Sequence, residues 1–376
     1  MNYKKHVYQL VMIVILVVFS SCSQAEENMQ EKDNNAVLIA DFPKHVSKTV
    51  NEQVSVDADI IVPQELNTLS VNVYSAQKAV FGEESAYRIF FGDEPFASRK
   101  ENSQKKNGLH STFYTAEDGR TLLAGANVCS FQTSLSQYVR NIFVDNGVDP
   151  NYNVPRYTKQ SELDFETKEG AFANIKEILS QLNIEVYNQY QCYIMPYDVM
   201  REESLKLKQN LPIAAGDYKT EWAKEEDCYL FRLNAYIEPL PIIYEDHGNP
   251  DDGTLVLGST IEVIYSVNGV EYLLANSIYK QKSTEQENVN LISLDDALAK
   301  AETLVNSVII TGEIKIEEIK LQYIPLPADK NGMQFTLVPA WSFRVANTMP
   351  LENNETKTIT TRYWIHVNAI TGEEIV

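Results

Sequence analysis

Apolar positions change period several times along the chain. Gln53 to Pro63 alternates imperfectly and predicts a strand that stops at Pro63. Ser70–Tyr74 reads as a second short strand. Ala76–Phe91 reads as a helix, broken by Gly92-Asp93-Glu94-Pro95. Leu109 to Phe131 carries Asp118-Gly119 between two β-rich arms, a strong local hairpin signal. Ser134–Val144 predicts a helix, and Asp145–Thr158, rich in Asn, Asp and Pro, predicts a loop. In Thr167–Asn183, Phe172, Ile175, Ile178, Leu179 and Leu182 recur three and four apart, the stripe of a helix that faces a core. Ile184–Tyr197 alternates as a strand, and Asp198–Asn210 reads as a charged helix facing solvent. Cys228–Glu245 is a long strand pattern whose Pro239 and Pro241 argue for an edge or a bend. Leu255–Ser266 and Val270–Tyr279 flank Asn268-Gly269, a second hairpin signal.

The C-terminal pattern is clearer. Ser293 and Asp296 stand at capping-box spacing, with Asp in place of Glu or Gln. Behind them Leu294, Ala297, Leu298, Ala301, Leu304, Val305 and Val308 form one helix face. Strands are predicted over Ile314–Ile324, Gln334–Val345 and Thr358–Val367, closed by Thr371-Gly372. The expected class is therefore α+β. Antiparallel sheets with packed helices would form two lobes, the C-terminal one a helix on a three-stranded layer. The boundaries are 1–21, 22–51, 52–290 and 291–376.

The first segment has its own grammar. Lys4 and Lys5 precede ten apolar residues, Leu10–Phe19, and then Ser20, Ser21 and Cys22. Ten is half of the ~20 residues that a membrane span needs and fits a signal-peptide core. Val18-Phe19-Ser20-Ser21-Cys22 resembles the lipobox of bacterial lipoproteins, with Phe19 where Leu or Val is usual. The resemblance implies cleavage before Cys22, acylation of its sulfur, and residence on the outer face of the cytoplasmic membrane. Two or more acyl chains hold stably where one is marginal. Removal of Lys4 and Lys5 takes the net charge from −20 to −22. An acidic body stands off anionic headgroups. The polar, Glu- and Asn-rich run after Cys22 has no period until residue 37 and reads as a tether.

The strings ISLDDALAKAETL, LQYIPL, LVPAWSFRV and YWIHVNAITGEEI follow one another across residues 291–376. They resemble the PepSY domain and the related C-terminal lobes of extracytoplasmic regulators of cell-wall histidine kinases. The resemblance implies a lobe that binds or restrains another protein, such as a kinase sensor domain or a secreted protease. It brings no catalytic residue. Residues 51–290 resemble only uncharacterised surface lipoproteins of Gram-positive type.

Composition narrows the chemistry. Hydrophobic residues are 44% and charged residues 22%, ordinary for a globular chain. Arg and Lys total 32 against 52 acids, and 32 − 52 = −20 lacks the basic face that nucleic acid requires. After Cys22 there remain Cys129, Cys192 and Cys228, an odd number, with no Cys-x-x-Cys pair. Spacing leaves a Cys192–Cys228 disulfide open. His45, His110, His247 and His366 lie far apart, so no i,i+4 metal pair exists, and His366 reads as an outward strand position. Nucleophile-elbow and phosphate-loop motifs are absent, and no cofactor is expected. Glu245, Asp246, Asp251 and Asp252 make a loop that could hold Ca²⁺, although these are also ordinary turn residues. Pro339, Trp341 and Trp364 are the candidate partner-binding residues, with the two tryptophans otherwise packing on one core face. The functional expectation is a membrane-anchored, non-enzymatic protein-binding or regulatory module with a cell-surface partner. The alternatives are a cell-envelope glycan or peptidoglycan hydrolase, and a solute- or ion-binding lipoprotein.

Overall fold

The computed structural model describes residues 42–376 except 65, 67–69, 105–108, 148, 150, 211–217, 249–254, 308–311, 330–331 and 352–353. Cys22, Asp251 and Asp252 lie outside the described residues. Along the chain, His45–Thr49 (β1), Val54–Ile61 (β2) and Ser70–Lys78 (β3) lead into a helix, Glu83–Phe91 (α1). Phe96–Gln104 (β4), Leu109–Ala116 (β5), Thr121–Gly125 (β6) and Val128–Gln132 (β7) follow. Next come Ser134–Ile142 (α2), Val154–Tyr157 (α3), Lys168–Gln181 (α4), Val186–Met195 (β8) and Tyr197–Asn210 (α5). Cys228–Ile237 (β9), Leu240–Pro241 (β10), Thr260–Ser266 (β11), Gly269–Asn276 (β12) and Tyr279–Asn290 (β13) precede Leu294–Ser307 (α6). Glu313–Pro327 (β14), Gln334–Leu351 (β15), Asn354–Asn368 (β16) and Glu374–Ile375 (β17) end the chain.

The strands make two large sheets. One runs β1-β2-β14-β15-β16-β17, with β3 joining β15 and β13 joining β3. The other runs β10-β9-β11-β12-β7-β6-β5-β4, with β8 on β9. Both hairpin signals hold. Asp118-Gly119 turns β5 into β6 and Asn268-Gly269 turns β11 into β12. Gly119 and Gly269 take φ of 88° and 96°, backbone that a side chain disfavours. The 167–183 helix forms as α4, with Thr167 Oγ1 accepting from Gly170 N. At α6, Ser293 Oγ accepts from Asp296 N at 3.1 Å and donates to Asp296 Oδ2 at 2.7 Å.

The α+β expectation, two helix-packed lobes ending in a three-stranded layer, is overturned. The architecture is mainly β. The C-terminal meander β14–β16 is there, but it is the middle of an eight-stranded sheet. Strand β2 pairs with β14 in parallel, Val54 opposite Ile314, and β3 pairs with β15, Ala76 opposite Phe335. Those partners lie about 260 residues apart, and local periodicity cannot report them. One buried cluster draws Val54, Phe231, Ile261, Leu273, Trp341 and Phe343 from both sheets, so the apolar surface does not divide at residue 291. A second cluster lies on the other face of β9, where Leu230 meets Ile142, Tyr157, Met195 and Met200.

Other differences have local causes. Residues 76–78 extend β3 instead of starting a helix, because β13 and β15 bond its two edges. Val154–Tyr157 forms one helical turn inside the expected loop. The prolines after β9 do mark a bend. Leu240 folds back onto Ile237, and Ile242 then pairs in parallel with Tyr323 of β14. That crossing links one sheet to the other.

Candidate functional site

Residue parity explains where the sheets open. In β15, Phe335, Leu337, Trp341, Phe343 and Val345 point into the core, so Ser342 and Arg344 face the other way. The ladder puts Glu318 and Trp364 opposite Arg344, and Lys320 and His366 opposite Ser342. Beyond the bend, Phe231, Leu233 and Ala235 of β9 are core, and Arg232 and Asn234 look outward. The two outward faces enclose a cleft. One part of it, a cavity of about 190 Å³, lies between Gln189, Tyr190, Arg232 and Tyr244 on one side and Lys320 and Gln322 on the other. It continues past Asp145 and Tyr152 to Arg344, and on to Arg362 and Trp364.

Most charges in the cleft are already matched. Arg232 bonds Asp145 at 2.5 Å and Glu262 at 3.2 Å, with its guanidinium 5.4 Å from the Phe143 ring centre. Burial works against its charge, and Asp145, Tyr244 and Glu262 outweigh burial, so it stays protonated. Lys320 lies 2.7 Å from Glu318 and 5.1 Å from the Trp364 ring centre. Arg362 reaches Glu317 at 2.9 Å. Arg344 stands apart. It lines three contiguous parts of the cleft, and among the described residues it has no hydrogen-bond, ion-pair or ring partner. A half-buried, unmatched guanidinium is ready for a carboxylate or phosphate, which it can grip with two parallel bonds.

The sequence candidates divide. Pro339 and Trp341 are buried core residues and do not rim a groove. Trp341 packs on Phe42, and its Nε1 donates to the Ile292 carbonyl at 3.3 Å. Trp364 is half-buried in the cleft. It lies three residues from Val367, the ladder partner of Trp341, so the tryptophans occupy opposite faces of the sheet. Glu245 lines the cleft, and Asp246 Oδ1 accepts from Gly258 N at 2.9 Å. Among the described residues no group of three or more His, Cys, Asp or Glu side chains is placed to hold a metal ion.

Cys129, Cys192 and Cys228 are all free thiols. Cys192 faces Phe231 and Cys228 faces Met195 across the β8–β9 ladder, so the pairing left open by spacing is not made. Burial pushes the Cys129 and Cys192 thiols up to about 12 and Cys228 well above its usual value. The histidines form two classes. His45 sits between Asp59 and Asp57, and His110 lies 2.5 Å from Glu83, all at the surface. His247 and His366 are buried beside each other with ring centres 6.0 Å apart, so His366, although on the sheet face away from the core, is not the solvent-facing position expected. Neither Arg344 nor the histidine pair could be found in the sequence, because the signal is which strands meet.

No family model matches the chain, and no curated protein matches it. Among solved structures it is similar to the crystal structure of an uncharacterized protein from Eubacterium rectale. The TM-score is 0.72 at 15% identity, over 90% of this chain and 95% of that one. That likeness is one of fold.

Proposed function

We propose that this protein is a lipid-anchored extracytoplasmic module that binds a partner protein on the cell surface and performs no chemistry itself. Cys22 would carry the anchor at the outer face of the cytoplasmic membrane, and the polar run after it would lift the folded body into reach of the partner. The observation that carries the binding reading is Arg344, a guanidinium without a partner among the described residues, in a cleft whose other cations are matched. Strand β8 adds to it. Among the described strands β8 pairs with β9 alone, and Gln189, Gln191 and Tyr193 border the cleft. An extended segment could add to that edge through its backbone while an acidic side chain met Arg344. The protein's own charge of −20 would repel acidic chains in general, which makes such a contact depend on this one site.

The test is crosslinking capture with soluble residues 23–376, as wild type and as Arg344→Glu, against solubilised membranes and culture medium of the source cells. The expected result is one reproducible protein with the wild type and its loss with Arg344→Glu. Capture of cell-wall fragments alone, or the same protein held equally by Arg344→Glu, overturns the proposal.

A further inference from the structure

We infer that His247 and His366 form a binding site for a divalent transition-metal ion of the Zn²⁺ or Cu²⁺ type. The site lies at the far end of the same cleft, past Arg344 and Arg362, and the inference starts from a hydrogen-bonding deficit. His247 is 6% exposed, and among the described residues neither of its ring nitrogens has a hydrogen-bond partner. The Pro325 carbonyl lies near the ring but outside bonding geometry. A buried polar group left so is costly, and a water or an ion is a partner that can relieve it.

The neighbour of that ring is a second imidazole. His366 is 5% exposed and meets His247 edge to face, with centres 6.0 Å apart and planes at 79°. Nitrogen donors sit about 2.0–2.1 Å from Zn²⁺, which puts each ring centre about 3.2 Å from the metal. Two imidazoles on one ion have centres at most about 6.4 Å apart, and the observed 6.0 Å falls within that reach. His366 is also held as metal-bound histidines are held. Its Nδ1 is 2.9 Å from Ser342 Oγ, which in turn accepts from Gln322 Nε2 at 2.9 Å, and both of those residues are buried. A partner at Nδ1 orients the ring and leaves Nε2 for a ligand. The Trp364 ring lies nearly parallel to that of His366, with centres 6.4 Å apart and planes at 9°.

Imidazole nitrogen selects Zn²⁺, Cu²⁺ or Ni²⁺, and the hard ions Ca²⁺ and Mg²⁺ want oxygen. The surrounding charge permits a cation. Glu245, Asp246 and Glu374 line the pocket around the two rings against Arg344 and Arg362, and Arg362 is matched by Glu317. Among the described residues no third metal-binding side chain converges. The ion would thus keep water, or a ligand in the pocket, at its remaining positions.

The experiment uses soluble residues 23–376 stripped with chelator and titrated with Zn²⁺ and Cu²⁺. One ion should bind per chain, with Cu²⁺ tighter than Zn²⁺. Copper bound to the unaltered protein should show hyperfine splitting from two nitrogens. His247→Asn or His366→Asn should abolish the site, and Ser342→Ala should weaken it roughly tenfold. The double variant His45→Ala, His110→Ala should bind as wild type does. Absence of binding, a copper spectrum without two nitrogens, or loss of binding in the surface double variant overturns the inference. The copper spectrum decides even where a buried-histidine variant fails to fold.

Discussion

Arg344 and Trp364 stand directly opposite each other across the β15–β16 ladder, on the face of the sheet that the core does not use. The indole is covered by Lys320, and Lys320 takes Glu318, the other ladder partner of Arg344. The guanidinium is thereby left unmatched by its own neighbours. A charge held this way contributes little to stability. Arg344→Ala should leave the free energy of unfolding in urea within about 0.5 kcal/mol of wild type. Arg232→Ala, which strands Asp145 and Glu262 in a half-buried site, should lose about 2 kcal/mol. A large stability loss in Arg344→Ala would mean that it has an intramolecular role after all.

The two tryptophans separate core from cleft. Trp341 is fully buried on the inner face, so Trp341→Ala should cost about 3–5 kcal/mol in denaturant unfolding. Trp364 is half-buried on the outer face, and Trp364→Ala should cost about 1 kcal/mol or less. Equal losses would contradict the assignment of faces.

The thiols should be chemically silent. Cys129 and Cys228 are buried, and Cys192 is held up to about 12, so almost no thiolate is present near neutral pH. A disulfide-exchange reagent should label none of the three in native soluble protein and all three in guanidinium. Reduction should leave the mass unchanged. Rapid native labelling of Cys192 would show that β8 opens from β9.

What was readable in the chain was whatever is held by near neighbours. Asp118-Gly119 and Asn268-Gly269 turn two residues of backbone, and the Phe172–Leu182 stripe repeats within one helix. What was hidden depends on distant strands. Tyr279–Asn290 is almost wholly exposed and polar, carries no period, and is a strand because its backbone pairs with β3. His45–Thr49, in the stretch that reads as tether, is a strand because β2 offers it an edge. The cleft suffered most. Arg344 has the alternation of any strand arginine, and only the β14–β15–β16 register shows that Glu318 and Trp364 are already engaged.

The buried histidines set the acid limb of stability in the metal-free protein. Burial, and secondarily the charge of His247, pushes His366 down to about 3. Burial lowers His247 as well, against smaller raising effects of the Pro325 carbonyl and Asp246. Both rings are therefore neutral in the fold at pH values where the unfolded chain, with histidines near 6.5, takes up protons. The unfolded state binds more protons below about pH 6.5, so stability rises with pH there and falls on acidification. Each such ring contributes at most about 1.4 kcal/mol per pH unit, so one of them removes about 2 kcal/mol between pH 6.5 and 5. His45 acts in the opposite sense. Asp59 and Asp57 raise its value, so its small contribution is full at low pH and is lost as pH rises. Urea unfolding in chelator at pH 7, 6 and 5 should show the fall, and His366→Asn should flatten it. A wild-type profile that is level over that range would show that the two rings are not kept neutral by burial.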